Sequence, residues 1–380
     1  MDPIQLFVPT FRIDETLDEI RVCLEKGWTG LGFKTVEFEE AWKAYTGLPH
    51  AHFLNSATAA LHLAVLLLKE QGNWQEGDEI ITTPMTFVST NHAILYEKLS
   101  PVFADIDESL CLDPASIRER ITPKTRAVMF VGVGGNTGRL CEVVQICEER
   151  GLKLILDASH MAGTRWAHNG KHIGKEADIS IFSFQAVKNL PTGDSGMICC
   201  RDESLDQNVR KWSWLGINKD TYARTASQGA YKWHYDVEHT GFKYNGNAIM
   251  AAMAIVSLKY LEQDNAYRRQ VCAWYDMLLK DAPKIRRIPM SSDCIPSRHL
   301  YQIAVAQRDE VMLALNQANI YPGVHYRDNT LYRMYAYAQE TCPRSLEASE
   351  QIISLPLHLR LSYNNVEYIS KTLQQIVSEK

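Results

Sequence analysis

Residues 126–157, RAVMFVGVGGNTGRLCEVVQICEERGLKLILD, decide the architecture. The run RAVMFVGV is short, apolar and rich in Val, so it reads as a buried strand. Residues 140–150 place Leu140, Val143, Val144 and Cys147 at helical spacing. LKLILD is a second apolar run that ends on a carboxylate. Strand, helix and strand within about thirty residues is the unit from which parallel sheets are built.

The same rhythm extends in both directions. Upstream, EIITT reads as a strand, residues 87–97 as a helix, PVFADI as a strand and residues 114–121 as a helix; downstream, DISIFSF and GMICC read as further strands. Strands that lack a polar face are expected in a sheet covered on both sides. Residues 13–27 carry Ile13, Leu17, Ile20 and Leu24 at helical spacing, and a short run at 51–54 feeds the long helix NSATAALHLAVLLLKEQG, capped by Asn55 or Ser56. A helix over 203–215 precedes a polar, aromatic segment, 216–244, that shows no regular period. Residues 247–279 read as one long helix, followed by the strand HLYQIAVA, a helix at 309–318, a segment rich in Tyr and Arg, and a closing helix at 365–377. The expectation is an α/β protein with a mainly parallel sheet flanked by helices in a large domain, residues 1–260 with an N-terminal arm, and a smaller α+β domain, residues 261–380.

The 380 residues carry 40 Lys+Arg against 45 Asp+Glu, a net charge of −5, with 46% hydrophobic residues. That supports a large core and argues against a nucleic-acid partner, whose phosphates would need a basic surface. The start, MDPIQLFVPTF, lacks the pattern of a signal peptide, no apolar run is long enough to span a bilayer, and nine scattered cysteines fit reduced thiols. The reading is a cytoplasmic protein. No His or Cys pairs stand at metal-ligand spacing, so no metal is expected. The glycines 132, 134 and 135 suggest a dinucleotide loop, but the third glycine of that fingerprint is Thr137 here.

In open parallel sheets ligands bind beyond the carboxyl ends of the strands. Three features follow strands here. Asn55-Ser56-Ala57-Thr58-Ala59 turns directly into a helix N-terminus, a seat for an anion such as phosphate. Asp157 closes LKLILD, where a carboxylate is costly unless paired or working. Lys188, in SIFSFQAVKNLPTGDSG, follows a strand within a turn and is placed to form a Schiff base. Singly, each is also explained by a cap, a buried ion pair and a solvated loop lysine. Together they fit pyridoxal 5'-phosphate (PLP): a phosphate seat, an acid for the pyridine nitrogen and an amine for the aldehyde. Phe87, just past EIITT, is placed to stack on the ring.

The segments NSATAALHLAV, TPMTFVSTNHAILY, LILDASHMAG, SIFSFQAVKN, GDSGM, GFKYNGNAIMAA and YPGVHY jointly resemble the DegT/DnrJ/EryC1/StrS aminotransferases, PLP enzymes of fold type I that aminate nucleotide-linked keto-sugars. The resemblance runs from about residue 7 to the last helix. It implies that Lys188 is the Schiff-base lysine, that Asp157 partners the pyridine nitrogen and that His160 lies against the phenolic oxygen. Ala57, Thr58 and Ser183 would hold the phosphate, Asn245 would reach the phosphate of a neighbouring subunit, and Trp28, Thr29, His325 and Tyr326 would line the sugar site. Ala57 replaces the family's glycine, Gln185 its more frequent His or aromatic, and VGVGGNTG its HLYGQ-type loop. The implied activity moves the amino group of L-glutamate to a keto-sugar on dTDP, a 6-deoxy-4-keto- or 3-keto-hexose, with pyridoxamine phosphate as the amino-carrying form of the cofactor. The implied assembly is a homodimer with a shared active site, and the implied pathway is amino-sugar synthesis for surface polysaccharides, lipopolysaccharide O-antigen among them, or antibiotics. Two alternatives stay open on the residues: PLP-dependent dehydration of a sugar, and a non-catalytic regulatory protein of the same fold.

Overall fold

The computed structural model describes residues 2–218 and 235–379. Its strands are β1 (His52–Leu54), β2 (Glu79–Thr82), β3 (Ser100–Phe103), β4 (Thr125–Val131), β5 (Lys153–Asp157), β6 (Arg165–Trp166), β7 (Ile179–Ser183), β8 (Gly196–Cys200), β9 (Arg286–Arg287), β10 (Cys294–Ile295), β11 (Tyr301–Ala304) and β12 (Ile352–Leu355). Helices α1 (Ile13–Glu25), α2 (Phe33–Thr46), α3 (Ala57–Gly72), α4 (Val88–Tyr96), α5 (Pro114–Arg120), α6 (Leu140–Arg150), α7 (Glu203–Ser213), α8 (Ala248–Leu278), α9 (Arg308–Gln317), α10 (Pro343–Gln351) and α11 (Tyr363–Ser378) surround them.

Seven strands form one sheet in the order β1-β8-β7-β5-β4-β2-β3. The pairs β3/β2, β2/β4, β4/β5 and β5/β7 are parallel, while β8 runs antiparallel to both β7 and β1. GMICC therefore joins the sheet as expected, but in the opposite direction. The segment from Phe184 to Ser195 holds turns and no helix to carry a parallel crossover, and the chain returns beside β7 as an antiparallel neighbour.

The two faces of the sheet are read off the alternation of side chains. Val128, Phe130, Leu154 and Leu156 join one apolar cluster with Phe38, Trp42, Phe182 and Phe184. Ala127, Met129, Ile155 and Ile179 join another with the leucines of α3. Helix α3 is buried without interruption from Ala59 to Leu68, as a helix that is apolar on every side must be. It starts at Ser56, whose Oγ accepts the Ala59 amide at 3.1 Å, and ends at Asn73 in the left-handed region.

Helix α8 is a single run of 31 residues, and residue 260 lies inside it. Its first part (Ala251, Ala254, Ile255, Leu261) packs into the sheet cluster. Val271, Cys272 and Tyr275 pack with β11, β12 and α11 in a separate cluster. Strand β11 pairs antiparallel with β12 and β9, making a small three-stranded sheet. Elements α10 and β12 fall in the Tyr- and Arg-rich segment that sequence periodicity leaves unassigned. IISL is four residues long and buried throughout, too short to show a period.

Residues 219–234 of the irregular segment lie outside the described residues. On its flanks Trp212 stacks on His239 with ring centroids 4.7 Å apart and on Phe242 at 6.0 Å, an internal packing arrangement. In α1, Ile13, Leu17 and Leu24 are 67%, 52% and 61% exposed, so much of that apolar stripe faces outward. No helix among the described residues is long and apolar enough to cross a membrane.

Candidate active site

Three adjacent strands end at one edge of the sheet. Val131 of β4 stands opposite Asp157 of β5, Asp157 stands opposite Ile181 of β7, and Ser183 follows two residues later. A cavity of about 420 Å³ opens beyond this edge. Ala57, Thr58, Phe87, Asp157, His160, Ser183, Lys188, His325 and Tyr326 all line it. Phe87, Asp157 and Ser183 meet because parallel strands present their carboxyl ends side by side, and His325 and Tyr326 join them from the segment between α9 and α10.

Asp157 is 4% exposed. Its Oδ2 accepts from Thr90 Oγ1 at 2.8 Å and its Oδ1 from the Ser159 amide at 3.1 Å. Thr90 is in turn linked to Thr86, hydroxyl to hydroxyl, at 2.9 Å. These donors make a buried carboxylate tolerable and fix its orientation.

Lys188 is half-buried, in a turn in which its amide donates to the Gln185 carbonyl at 2.8 Å. Burial pushes its pKa down to about 8, and attraction to the Asp157 carboxylate opposes that fall. At the anion seat, the Ser56 hydroxyl takes the Ala59 amide, and the Ala57 and Thr58 amides belong to the first turn, where no intrahelical acceptor exists. Strand β8 presses close beneath: a Cβ on Gly196 would fall 2.5 Å from the Ala57 nitrogen.

His160 has both ring nitrogens engaged. Nδ1 accepts the Gly134 amide at 3.1 Å, and Nε2 lies 2.9 Å from Tyr326 Oη. With Nδ1 an acceptor, the neutral ring carries its proton on Nε2 and donates it to the tyrosine oxygen. Burial, with Lys188 and His325 close by, pushes the His160 pKa well down, which keeps the ring neutral. His325 is pushed down to about 4, by burial first and then by Lys188, and its Nδ1 lies 2.9 Å from Ser354 Oγ. Phe87, at the start of α4, is 60% exposed at the cavity mouth, its ring 6.4 Å from that of Tyr326.

The remaining candidates stand elsewhere. Trp28 donates its indole N–H to the Leu31 carbonyl at 2.8 Å, and the Thr29 carbonyl accepts the Ala248 amide at 3.0 Å, so both sit between α1 and the start of α8, outside this cavity. Asn245 bridges to Leu54 at the end of β1; its Nδ2 donates to the Gly246 carbonyl at 2.9 Å, and its buried Oδ1 has no partner among the described residues.

Sequence reasoning missed Thr90 and Ser159, the donors to Asp157. The hydroxyl residues of PMTFVST are a signal for Thr90, whereas Ser159 donates its backbone amide, which the sequence does not mark. It also missed His299, whose ring lies 4.4 Å from that of His160 and stacks on Phe7 at 5.2 Å. His299 Nδ1 contacts Asn189 Oδ1 at 3.1 Å, which locks the residue after Lys188. Nothing in the linear sequence marks that contact.

The donor set suits PLP. Helix amides with the Ser183 hydroxyl match a phosphate, Asp157 matches a protonated pyridine nitrogen, and an amine that is partly free base near neutral pH matches an aldehyde.

Comparison with known proteins agrees with this geometry. The family model described as the DegT/DnrJ/EryC1/StrS aminotransferase family matches residues 12–374. The chain is 33% identical over 375 residues to the spore coat polysaccharide biosynthesis protein SpsC of Bacillus subtilis strain 168, covering 96% of this chain and 94% of that protein. It superposes on Helicobacter pylori PseC, an aminotransferase involved in the biosynthesis of pseudoaminic acid, with a TM-score of 0.91, 25% identity and 100% of each chain covered. The sugar aminotransferase Spr1654 of Streptococcus pneumoniae, solved in PLP and PMP forms, matches with a TM-score of 0.90 and 26% identity in each form. The PLP form covers 99% of both chains, the PMP form 99% of this chain and 98% of its own.

Proposed function

The chain belongs to the DegT/DnrJ/EryC1/StrS aminotransferase family and is a PLP-dependent sugar aminotransferase, and we propose that it moves the amino group of L-glutamate to a nucleotide-linked keto-sugar. The acceptor we favour is a 6-deoxy-4-keto- or 3-keto-hexose on dTDP, and the setting a cytoplasmic pathway to surface polysaccharides or antibiotic sugars. The observation that carries the reading is Lys188 and Asp157 in one cavity with the open amides of α3.

PLP, when bound, supplies an aldehyde that exchanges its oxygen for an amino group and a ring that accepts electron density. The chain supplies the rest. Ala57 and Thr58 amides, with Ser183 Oγ, would hold the phosphate without a cationic side chain. Asp157, oriented by Thr90 and Ser159, would keep the pyridine nitrogen protonated. Lys188 would anchor the resting cofactor and, once displaced, would take the proton from the glutamate α-carbon. An amine whose pKa is lowered to about 8 suits that task, because a useful fraction is free base near neutral pH. Phe87 would cover the ring, and the Tyr326 hydroxyl, accepting from neutral His160, is left free to donate its own hydrogen into the cavity. His325 and Tyr326 would face the sugar.

A homodimer with a shared active site belongs to the same reading. The outward-facing Ile13, Leu17 and Leu24 offer an apolar surface that a second copy would cover. Asn245, whose buried oxygen has no partner among the described residues, and Trp28 and Thr29, outside this cavity, would then serve the neighbouring one.

The test is the visible spectrum of the purified protein with and without L-glutamate. The expected result is a cofactor band that bleaches on addition, with release of 2-oxoglutarate. A cofactor band indifferent to glutamate would refute this donor and move the reading to another donor or to dehydration.

A further inference from the structure

Lys188 lines a second cavity besides the one it shares with Asp157. This one measures about 10 Å³, room for a single water-sized particle. Residues 7–10 of the N-terminal arm line it together with Arg268 of α8, His299 and His358. His358 stands in the turn between β12 and α11, and the Leu357 amide beside it donates to the Leu6 carbonyl at 3.0 Å. The arm, the long helix and the C-terminal turn thus meet next to the lysine. None of the described residues at this cavity is an acid.

Charge is out of balance there. Arg268 is 9% exposed, and burial lowers its pKa to about 10 against the pull of Asp264. Asp264 itself is engaged elsewhere, because Arg12 holds both its oxygens, at 2.6 and 2.7 Å. Two guanidiniums therefore share one carboxylate. The one side-chain hydrogen bond of Arg268 among the described residues runs from Nη1 to Asn265 Oδ1 at 3.5 Å, and that oxygen already accepts from Asn189 Nδ2 at 2.8 Å. A buried cation so weakly partnered is unfavourable. His358 adds a second idle donor. Its Nδ1 accepts the Arg360 amide at 3.2 Å, and burial pushes its pKa down to about 4, so the neutral ring carries its hydrogen on Nε2. That nitrogen is buried and has no hydrogen-bond partner among the described residues; the Gln5 carbonyl lies near enough to raise the pKa of the ring but not in place to accept. The Arg268 charge acts on both His358 and His299, so the guanidinium and the two rings stand close together. His299 completes the wall, its Nδ1 on Asn189 Oδ1 at 3.1 Å and its face stacked on Phe7.

We propose that this cavity binds one halide ion, chloride, between the Arg268 guanidinium and the His358 Nε2–H. A water molecule would satisfy the donors and leave the charge uncompensated, whereas a carboxylate or a phosphate is too large for the space. The ion balances Arg268, joins the N-terminal arm and the turn after β12 to α8, and sets a negative charge beside Lys188 that favours the protonated amine. The site uses no part of the reading of amino donor or acceptor, and it stands or falls apart from it.

The test combines two measurements on the holoenzyme. Crystals grown in sodium bromide are measured above the bromine absorption edge, and thermal unfolding is followed in sodium chloride and in sodium gluconate at equal ionic strength. An anomalous peak should lie in contact with Arg268 and His358. The unfolding midpoint should rise with chloride by about 1–2 °C and then saturate, as binding to the folded state alone requires. R268Q removes the charge and keeps amide donors, so it should lose both the peak and the chloride-dependent rise. Electron density for a water without anomalous signal would overturn the proposal. So would a rise that is the same in both salts or unchanged in R268Q, since either marks a general ion effect at the surface. Should R268Q fold poorly, the wild-type crystals decide alone: bromide found only on the surface overturns the site.

Discussion

The lysine offers the sharpest quantitative test. Burial lowers the Lys188 pKa to about 8, whereas an exposed lysine titrates near 10.4. At pH 7.5, about a quarter of the Lys188 amines would be free base, against about one in a thousand for an exposed lysine. The perturbation is pH itself, applied to protein stripped of cofactor. The assay is trace labelling with an acetylating reagent, read by mass spectrometry for the Lys188 peptide against an exposed lysine such as Lys280. Labelling at Lys188 should rise tenfold per pH unit below 8 and flatten above it, while Lys280 should keep rising to beyond pH 10. Asp157 attracts the protonated amine, so D157N removes a term that raises the pKa, and the Lys188 midpoint should fall further. The same displacement has a thermodynamic face. Below pH 8 the amine is protonated in both states, but its charge is penalised only in the fold. Between about 8 and 10.5 the unfolded chain holds the extra proton, so stability of the cofactor-free protein should rise with pH across that window, by about 3 kcal/mol in all. A Lys188 midpoint near 10, or one that rises in D157N, would refute the reasoning.

Other expectations follow from single contacts. G196A would place a Cβ 2.5 Å from the Ala57 nitrogen, so the start of α3 must move, and cofactor retention on gel filtration should fall; full retention would mean that the Ala57 amide is not part of the phosphate seat. Y326F leaves His160 Nε2–H buried without its acceptor and should lower stability by about 1–3 kcal/mol in denaturant titration; unchanged stability would mean that this contact does not hold the ring. L17D/L24D puts charges on the exposed stripe of α1; light scattering should show monomers with little glutamate-dependent bleaching, and an intact dimer would place the interface elsewhere.

The alternation of strands and helices was legible because each element carries its own period, and Asp157 and Lys188 could be singled out because both follow apolar strands. What the sequence withheld was direction and company. GMICC has the same composition whether it runs parallel or antiparallel, and only the helix-free return from β7 decides. The donors to Asp157 come from Thr90, on a different element, and from a backbone amide, which has no sequence signature at all. His299 is one histidine among 12, and its packing between His160 and Phe7 depends on how the α8–β11 connection and the N-terminal segment cross the site. Of the aromatic segment, residues 219–234 lie outside the described residues.

The histidines bear on the role proposed for the lysine. Three of them, His160, His299 and His325, stand around Lys188, and a proton on any one would add a positive charge beside the amine. Burial pushes all three down in pKa, and each is further held down by at least one of the other basic groups in the cluster. They therefore remain neutral through the pH range in which Lys188 titrates, and serve as hydrogen-bonding and stacking groups. Among the described residues, the opposite charge that acts on Lys188 is that of Asp157. Had those positions been Lys or Arg, the cofactor's phosphate would gain attraction, but the amine would be pushed further toward its neutral, weakly basic form and could no longer hold a proton taken from carbon. Neutral donors at the proposed phosphate seat, neutral rings around the lysine and one anchored carboxylate would thus be parts of a single requirement: an amine able both to give up and to take a proton near neutral pH.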